Sequence, residues 1–380
     1  MARRTPSRFE SLDHWRGLAC LLVIVYHSTI VYLATNPDDG SAVRRVLELT
    51  HHFNVGVALF FVISGYCIAA AADNSRARRD HIGTYFVRRF RRIYPPYWIM
   101  VVCTIAAFFV LDYGWRAPLL SGDPWPQYRP SWYTPTQWLG NLTLIETWRH
   151  HLFGNIRAHF PGQAWTLCYE EQFYFVTGMV LLTSRRWFFP GIALVTVAVI
   201  AAAMFGGPLD GFFFDGSWLL FAAGVAVFYR IRYASGWRAT AVDLVLFAAI
   251  PACFWVPVPI YGAVVGFVFA AALPWLYRFD AKVAAAPTLK PLLLCGQMCY
   301  SLYLVHQIPV KAVTTALARA GAVGPTATLL LAMPLSIAVS VGLGWVFHVA
   351  VERRFLNTPA RALDGPRSVS APTLVAAGAR

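Results

Sequence analysis

The sequence predicts an all-α, polytopic membrane protein with about ten transmembrane helices and with both termini in the cytoplasm. Three observations support this fold class: 58% of the 380 residues are hydrophobic, only 13% are charged, and long apolar segments recur along the whole chain. Soluble globular proteins carry about twice this share of charged residues. A water-soluble fold is therefore excluded, and the bilayer must solvate most of the surface.

Ten segments approach the roughly 20 apolar residues that a spanning helix needs. The first continues to Ala34, so it is predicted to be an uncleaved span rather than a signal peptide. Pro257 and Pro259 separate two of the segments, which could instead form a re-entrant hairpin. The predicted spans are 16–34, 53–72, 95–112, 167–184, 188–206, 212–229, 240–256, 259–277, 292–316 and 326–350.

The distribution of basic residues predicts the orientation. Lys and Arg exceed Asp and Glu by 14 charges. With the N-terminus in the cytoplasm, 23 of the 32 basic residues fall in cytoplasmic segments and 7 fall outside. This asymmetry supports an even number of spans with both termini inside, as expected for a bacterial inner membrane protein. Because topology accounts for the positive charge, membrane lipid is a predicted partner and nucleic acid is not.

One membrane domain is predicted over residues 1–356, followed by a disordered cytoplasmic tail over 357–380. The longest loop, 113–164, falls outside and is rich in Trp, Tyr and Pro. We expect it to act as a lid or as an acceptor-binding surface, because loops of this length are usually functional and aromatic rings stack on sugars. An interfacial aromatic belt is an equally open interpretation.

Arg16 and His27 are ionisable residues on the first predicted span. Eleven residues separate them, which places both side chains on one helix face at depths about 16 Å apart. Arg16 is then expected at the cytoplasmic interface and His27 about half way through the bilayer. Ionisable residues inside a membrane are costly and are by default functional candidates. The alternative is a hydrogen-bonded structural histidine with a snorkelling arginine.

A cluster of four arginines lies just before the third predicted span. Guanidinium groups bind phosphate oxygens in pairs, so the cluster is predicted to hold a polyphosphate in front of a helix that starts at Pro95. Orientation in the membrane and anionic lipid headgroups would also account for such a cluster. Its members are Arg88, Arg89, Arg91 and Arg92.

Other polar residues lie in or beside the predicted spans. Adjacent residues of a helix point about 100° apart, so at most one of Glu170 and Glu171 is expected in a polar cavity. Tyr303 and His306 share a face of the ninth span, and His306 is the weaker catalytic candidate. Ser64 is predicted to pack closely rather than to act as a nucleophile. The seven cysteines are predicted to be small buried hydrophobes, and no metal site is predicted.

Together these segments resemble the acyltransferase-3 family of integral membrane O-acyltransferases. The first matches the family's Arg-x10-His signature through Arg16 and His27. The sequence departs from the usual family pattern at His14, Thr166 and Cys299, but none of these departures removes an ionisable group. The matching segments are 12–19 with His27, 60–66, 88–97, 165–174 and 300–306.

The resemblance implies transfer of an acyl group, commonly acetyl, from cytoplasmic acyl-CoA to a hydroxyl of a carbohydrate or a lipid-linked glycan. It implies no permanently bound cofactor, since acyl-CoA is a substrate. His27 is then expected to be the general base or the carrier of an acyl-histidine, with Arg16 and Glu170 as catalytic partners. The four clustered arginines would bind the phosphates. Asp13, Ser64, Tyr303 and His306 are expected to support the substrate or the structure.

Two other functions remain open at this point. A proton-coupled secondary transporter would also contain buried His, Glu and Arg in about ten spans. A non-catalytic partner in polysaccharide assembly would tolerate substitution of the same residues.

Overall fold

The fold is known from a computed structural model that describes residues 9–78, 80–110, 130–183, 185–206, 211, 216–255 and 260–356. Within these ranges the chain is helical and has no strand, which confirms the all-α prediction. The predicted tail 357–380, residues 113–129 of the predicted loop, and Pro257 and Pro259 lie outside the described residues.

Eighteen α-helices occur in the described ranges, several of them joined end to end by a short 3-10 or π-helical turn. They are α1 Leu12–Thr35, α2 Ala42–His51, α3 Gly56–Arg78, α4 Ile82–Phe109, α5 Pro135–Leu142, α6 Glu146–Phe153, α7 Trp165–Leu181, α8 Phe188–Ala201, α9 Ser217–Arg232, α10 Trp237–Ala252, α11 Ile260–Leu276, α12 Asp280–Ala285, α13 Lys290–Gln297, α14 Cys299–Val305, α15 Gln307–Arg319, α16 Pro325–Ala327, α17 Met333–Phe347 and α18 Arg353–Phe355.

Six helical stretches of the described chain are long and apolar enough to cross a membrane. They match six of the ten predicted spans, while 167–184, 212–229 and 240–256 correspond to the shorter helices α7, α9 and α10 and 292–316 is interrupted. The multi-pass character of the protein follows from these six, and the full count of ten and the orientation stay predictions. The six are Leu12–Thr35, Ala42–Arg78, Ile82–Phe109, Phe188–Phe205, Gly262–Ala285 and Pro325–Phe355.

The prediction that a helix starts at Pro95 is wrong. Helix α4 runs from Ile82 to Phe109 with Pro95 and Pro96 inside it, so the arginine cluster is helical. Proline removes a hydrogen bond within a helix, and tertiary contacts hold this stretch instead. The hydroxyl of Tyr97 donates to the carbonyls of Asn141 and Phe160 at 3.0 and 3.1 Å. The clustered arginines therefore have no free helix amides beside them.

The predicted span 292–316 is not one helix but three, with breaks at Met298 and His306. Pro309 explains the second break, because it has no N–H for the carbonyl of Val305 four residues earlier and its ring clashes with that carbonyl. At the first break, the carboxylate of Glu352 accepts hydrogen bonds from the backbone N–H and the hydroxyl of Ser301 at 3.3 and 2.6 Å. These bonds satisfy a donor at the start of α14.

Glycines bring the central helices close together. A Cβ atom at Gly65 on α3 would overlap the carbonyl oxygen of Phe221 on α9, and one at Gly224 would overlap that of Val62. The N-terminal end of α1 is held by Asp280, whose carboxylate accepts the N–H groups of Glu10 and Ser11 at 2.9 and 2.7 Å. Such close contacts fix α1 and α3, the two helices that form the walls of the site described next.

Candidate active site

A cavity of about 110 Å³ lies between α1, α3, α4, α7 and α14. Phenylalanine, valine, leucine and isoleucine side chains form much of its wall, and polar groups converge on it from all five helices. A mostly apolar cavity with a few convergent polar groups is the usual form of a small-molecule site. The polar lining residues are Arg16, Ser64, Cys67, Arg89, Arg92, Thr166, Glu170, Tyr174, Cys299, Tyr300 and Tyr303.

Arg16 lies at one end of the α1 wall. Its guanidinium donates to Asp13 Oδ1 at 2.8 Å, one turn earlier on the same helix, and contacts Cys67 Sγ on α3 at 2.9 Å. The guanidinium has further donors in its planar fork. Arg16 is therefore held at the cavity by Asp13 and keeps N–H groups that can bind an anion.

The four clustered arginines separate into two pairs. Arg89 and Arg92, three residues apart on one face of α4, line the cavity. Arg91 is exposed. Arg88 pairs with Asp80 at 2.5 Å, in the segment before α4. Burial opposes ionisation of Asp80, but the hydrogen bond and charge of Arg88, with Arg78, hold the pKa of that carboxyl below its usual range.

Aromatic rings hold the Arg89 side chain in place. Its guanidinium carbon lies 5.2 Å from the ring centroid of Tyr174 on α7 and 5.7 Å from that of Tyr85. Such cation–π contacts use the face of the guanidinium and leave its N–H groups free to bind a ligand in the guanidinium plane. The buried Nε atom of Arg89 makes no hydrogen bond among the described residues. Arg89 is therefore a donor that the folded chain leaves available.

Glu170 is the acidic residue of α7 that reaches the cavity. Its Oε1 accepts the hydroxyl of Ser64 at 2.8 Å, and the hydroxyl of Tyr174 lies 3.5 Å from its Oε2. Glu171 is not among the lining residues, so one of the two adjacent carboxylates enters the cavity, as the helix geometry predicts. Ser64 thus has a specific partner in addition to the close packing of its neighbour Gly65.

His27 lies on the same face of α1 as Arg16 but beyond the cavity. Val23 lines the cavity, and His27 follows one turn later, about 6 Å further along the helix axis. There its ring packs against the ring of His306, with the two centroids 5.1 Å apart and the ring planes inclined by 43°. The structure therefore brings together two histidines that are far apart in the sequence.

Tyr303 links the cavity to this histidine pair. Its hydroxyl donates to the carbonyl of Gln163 and accepts from the hydroxyl of Thr166 at 2.5 Å. Its own backbone carbonyl accepts Nδ1–H of His306 at 2.7 Å. Tyr303 therefore contacts the start of α7 with its side chain and His306 with its backbone.

A second buried polar group, which sequence reasoning missed, lies in the segment between α4 and α7. Arg149 and Glu146 are fully buried and form two hydrogen bonds of 2.7 and 3.0 Å. The amide of Asn141 donates to the carbonyl of Ala158 at 2.8 Å, and its oxygen accepts Phe160 N–H at 2.6 Å. We call Asn141, Glu146 and Arg149 the buried ion-pair cage. It shapes residues 130–164 of the predicted loop into a packed unit.

His159 lies beside this cage. Burial, together with the charges of Arg157 and Arg149, lowers the pKa of His159 to about 3. A further missed residue is Glu352, which is buried and accepts from His348 Nδ1 at 2.8 Å as well as from Ser301. A signal for Glu352 existed in the sequence, since it is an acidic residue just after an apolar span. No group of three His, Cys, Asp or Glu suited to a metal ion occurs among the described residues.

The fold and the cavity define a multi-pass helical membrane protein with a buried, arginine-rich ligand site. The chain belongs to the acyltransferase-3 family, because the family model described as an acyltransferase domain matches residues 9–346. The protein is an O-acyltransferase by this membership and by the names of its relatives. These comparisons favour the enzyme over the secondary transporter.

Three relatives illustrate the similarity. An acyltransferase from Streptomyces mycarofaciens is 25% identical, over 97% of this chain and 98% of its own length. An O-acetyl transferase of Shigella phage Sf6 is 25% identical, over 61% of this chain and 65% of its own length. A peptidoglycan O-acetyltransferase of Listeria monocytogenes is 26% identical over 47% of this chain, which corresponds to 25% of that longer protein. No solved structure matches the chain.

Proposed function

We propose that the protein transfers an acyl group, most simply acetyl, from acyl-CoA to a hydroxyl group of a carbohydrate acceptor across a bacterial inner membrane. The observation that carries the proposal is the cavity along α1, where Arg16, Arg89 and Arg92 converge, with His27 one helical turn beyond the lining residue Val23. Coenzyme A combines phosphates at one end with a thioester at the end of a long arm. An anion site with a histidine further along the same helix face matches both ends.

The phosphate end would bind between α1 and α4. Arg89 and Arg92 belong to none of the carboxylate ion pairs among the described residues. Guanidinium groups that have no carboxylate partner bind phosphate oxygens in a bidentate manner. Arg88 already pairs with Asp80 and Arg91 is exposed, so we assign the predicted phosphate role to Arg16, Arg89 and Arg92.

The thioester end would reach past Val23 to His27. A neutral imidazole there can remove the proton of an acceptor hydroxyl while its oxygen attacks the thioester carbonyl. The new C–O ester bond forms, the C–S bond breaks, and the imidazolium of His27 returns the proton to the sulfur of CoA. A covalent acyl-histidine, formed on His27 and then attacked by the hydroxyl, is the mechanistic alternative.

Glu170 would orient the acceptor or carry a proton within the cavity, since Ser64 fixes its carboxylate there. The acceptor would approach from the side of α5 and α6, where the side chain of Trp132 is 55% exposed. Aromatic faces of this kind stack on sugar rings. One relative is named as a peptidoglycan O-acetyltransferase, which supports a glycan acceptor.

Membranes that contain either the wild-type protein or His27→Ala test the proposal. With labelled acetyl-CoA as donor and mass spectrometry of the surface glycans as readout, we expect His27→Ala to lower acetyl transfer about 100-fold or more. The variant should still gain thermal stability from acetyl-CoA, because the cavity arginines remain. His151→Ala, at an exposed histidine of α6, serves as the control. Full transfer by His27→Ala would contradict the assignment.

A further inference from the structure

We propose that His306 is the positioning residue of His27: its Nε2 lone pair accepts the N–H of the His27 ring and so directs the other ring nitrogen of His27 to the acceptor hydroxyl. The inference rests on the proposed function of His27. It concerns two histidines, on α1 and at the junction of α14 and α15, whose rings are 5.1 Å apart.

The backbone contact of His306 shows which of its ring nitrogens carries a proton in the neutral form. Its Nδ1 lies 2.7 Å from the carbonyl oxygen of Tyr303. A carbonyl oxygen only accepts hydrogen bonds, so Nδ1 must carry the proton. In a neutral imidazole the other nitrogen, Nε2, then has a free lone pair. The structure thus fixes the tautomer of His306 without reference to His27.

Among the described residues, that lone pair has no hydrogen-bond partner. His306 is 1% exposed, and its Nε2 is buried without a hydrogen bond. A buried acceptor without a donor is unfavourable, so this nitrogen is suited to take up an N–H group. The His27 ring packs against His306 at an inclination of 43°. A change in the side-chain torsion of His27 would turn its N–H toward Nε2.

His306 lies at the junction of α14 and α15, where Pro309 removes the helical hydrogen bond to the carbonyl of Val305. The backbone N–H of His306 still donates to the carbonyl of Leu302 at 3.2 Å. Its side chain bonds the carbonyl of Tyr303, three residues earlier. In the reacting state the chain of contacts would run from the acceptor hydroxyl to His27, then to His306, and finally to that carbonyl.

The proton transfers in which His27 and His306 would take part balance over one reaction cycle. When His27 takes the proton of the acceptor hydroxyl, its ring becomes an imidazolium with an N–H donated to His306. The positive charge is then shared between two rings, and the Tyr303 carbonyl stabilises it through Nδ1–H of His306. When the proton passes to the departing CoA sulfur, both histidines return to their neutral forms. No other reactant is needed.

Two substitutions of His306 separate this role from a merely structural one. The amide nitrogen of asparagine can replace Nδ1–H, so His306→Asn keeps the bond to Tyr303 but has no acceptor near the position of Nε2. Glutamine reaches that position, so His306→Gln keeps an acceptor for His27 and gives up the bond to Tyr303. The two variants therefore test opposite ends of the ring.

We expect His306→Asn to lower kcat for acetyl transfer about 100-fold, with an almost unchanged KM for acetyl-CoA, and His306→Gln to recover at least tenfold of that loss. Equal activity of His306→Asn and the wild type would overturn the inference, and so would a larger loss in His306→Gln than in His306→Asn. If His27→Ala itself kept full transfer, the proposed function would fail instead, which separates the two outcomes.

A measurement on the wild-type protein keeps the test decisive if either variant fails to fold. Val305–His306 is the sole Val-His pair in the sequence, so isotope-labelled valine and histidine assign the NMR signals of His306 unambiguously. We expect the ring to carry its proton on Nδ1, with Nε2 accepting a hydrogen bond when acetyl-CoA is bound. A proton on Nε2 in both states would overturn the inference.

Discussion

The buried ion-pair cage contains fully buried charged side chains and the cavity contains partly buried ones, and the two regions satisfy the hydrogen bonds of these side chains to different degrees. In the cage, Arg149 donates to Glu146 and to the carbonyl of Gly154 at 2.7 Å, while Glu146 also accepts Ala158 N–H at 3.0 Å. In the cavity, Arg89 Nε has no hydrogen-bond partner within the part of the chain that the structure describes, and at the histidine pair His306 Nε2 has none there either.

This difference distinguishes polar groups that stabilise the fold, as in the cage, from polar groups that are available to a ligand, as in the cavity. A buried ion pair with nearly all its hydrogen bonds made within the chain holds one conformation, and the removal of either partner leaves a stranded charge. Donors and acceptors left open in a cavity cost stability unless a ligand satisfies them. We therefore expect substitutions in the cage to lower stability, and substitutions in the cavity to lower ligand binding or turnover.

The largest expected effect is on stability, in the cage. Glu146→Ala strands the buried guanidinium of Arg149 and should lower the free energy of unfolding by about 3–5 kcal/mol, measured by denaturation in detergent. The control is Asp243→Ala, which breaks the pair of Arg230 with Asp243, whose side chains are 24% and 32% exposed, and should cost about 0–1 kcal/mol. An equal decrease in the free energy of unfolding in both variants would contradict the structural role that we assign to the cage.

The next effect is on donor binding, in the cavity. Arg89→Ala and Arg92→Ala should each raise the KM for acetyl-CoA about 10- to 100-fold, since a hydrogen bond to a charged group contributes about 1.5–3 kcal/mol. The unfolding of the unliganded protein should change little. Arg91→Ala is the matched control, because Arg91 lies on the same helix but is exposed. A similar change in KM for all three variants would show that the cavity does not hold the phosphates.

Much of the site could be predicted from the sequence, because its residues lie on helices whose period is regular. The positions of Arg16 and His27 on one face of α1 follow from their spacing, and the selection of one carboxylate follows from the angle between Glu170 and Glu171. The scarcity of charge in the chain made these residues conspicuous. The family resemblance, which the comparisons confirm, added the expected reaction.

The rest depends on contacts between distant segments. The local rule for proline predicts a helix start at Pro95, but hydrogen bonds from Tyr97 to the segment before α7 hold the helix through it. The approach of His306 to His27 requires α14 to pack beside α1 and to break at His306. The cage pairs Glu146 with Arg149 locally, yet only the fold buries both. No periodicity or motif in the sequence predicts these contacts.

A smaller effect tests the cavity through its thiols. Cys67 lines the cavity beside Arg16, whereas Cys103 is exposed on α4. We expect acetyl-CoA at ten times its Kd to slow maleimide labelling of Cys67 about tenfold, because bound donor excludes the reagent from the occupied fraction. Cys103 should react at the same rate with and without acetyl-CoA and serves as the internal control. Unchanged labelling of Cys67 would place the donor elsewhere.

The smallest effect, measured over a single pH unit, is a pH dependence beside the cage. Because the folded chain lowers the pKa of His159 to about 3, the unfolded chain binds a proton first as the pH falls below the ordinary histidine value of about 6.5. Stability should therefore be unaffected by this group above that value. As the pH falls from the ordinary value toward the lowered one, the free energy of unfolding should decrease by up to about 1.4 kcal/mol per pH unit.

The variant His159→Gln has no group that titrates there, so its unfolding in detergent should lose this part of the pH dependence. His151→Gln, at the exposed histidine of α6, should keep it. The catalytic rate of both variants should follow the wild type, because neither histidine contacts the cavity residues that we assign to the donor. A steeper pH dependence in His159→Gln than in the wild type would contradict the neutral, buried state of His159.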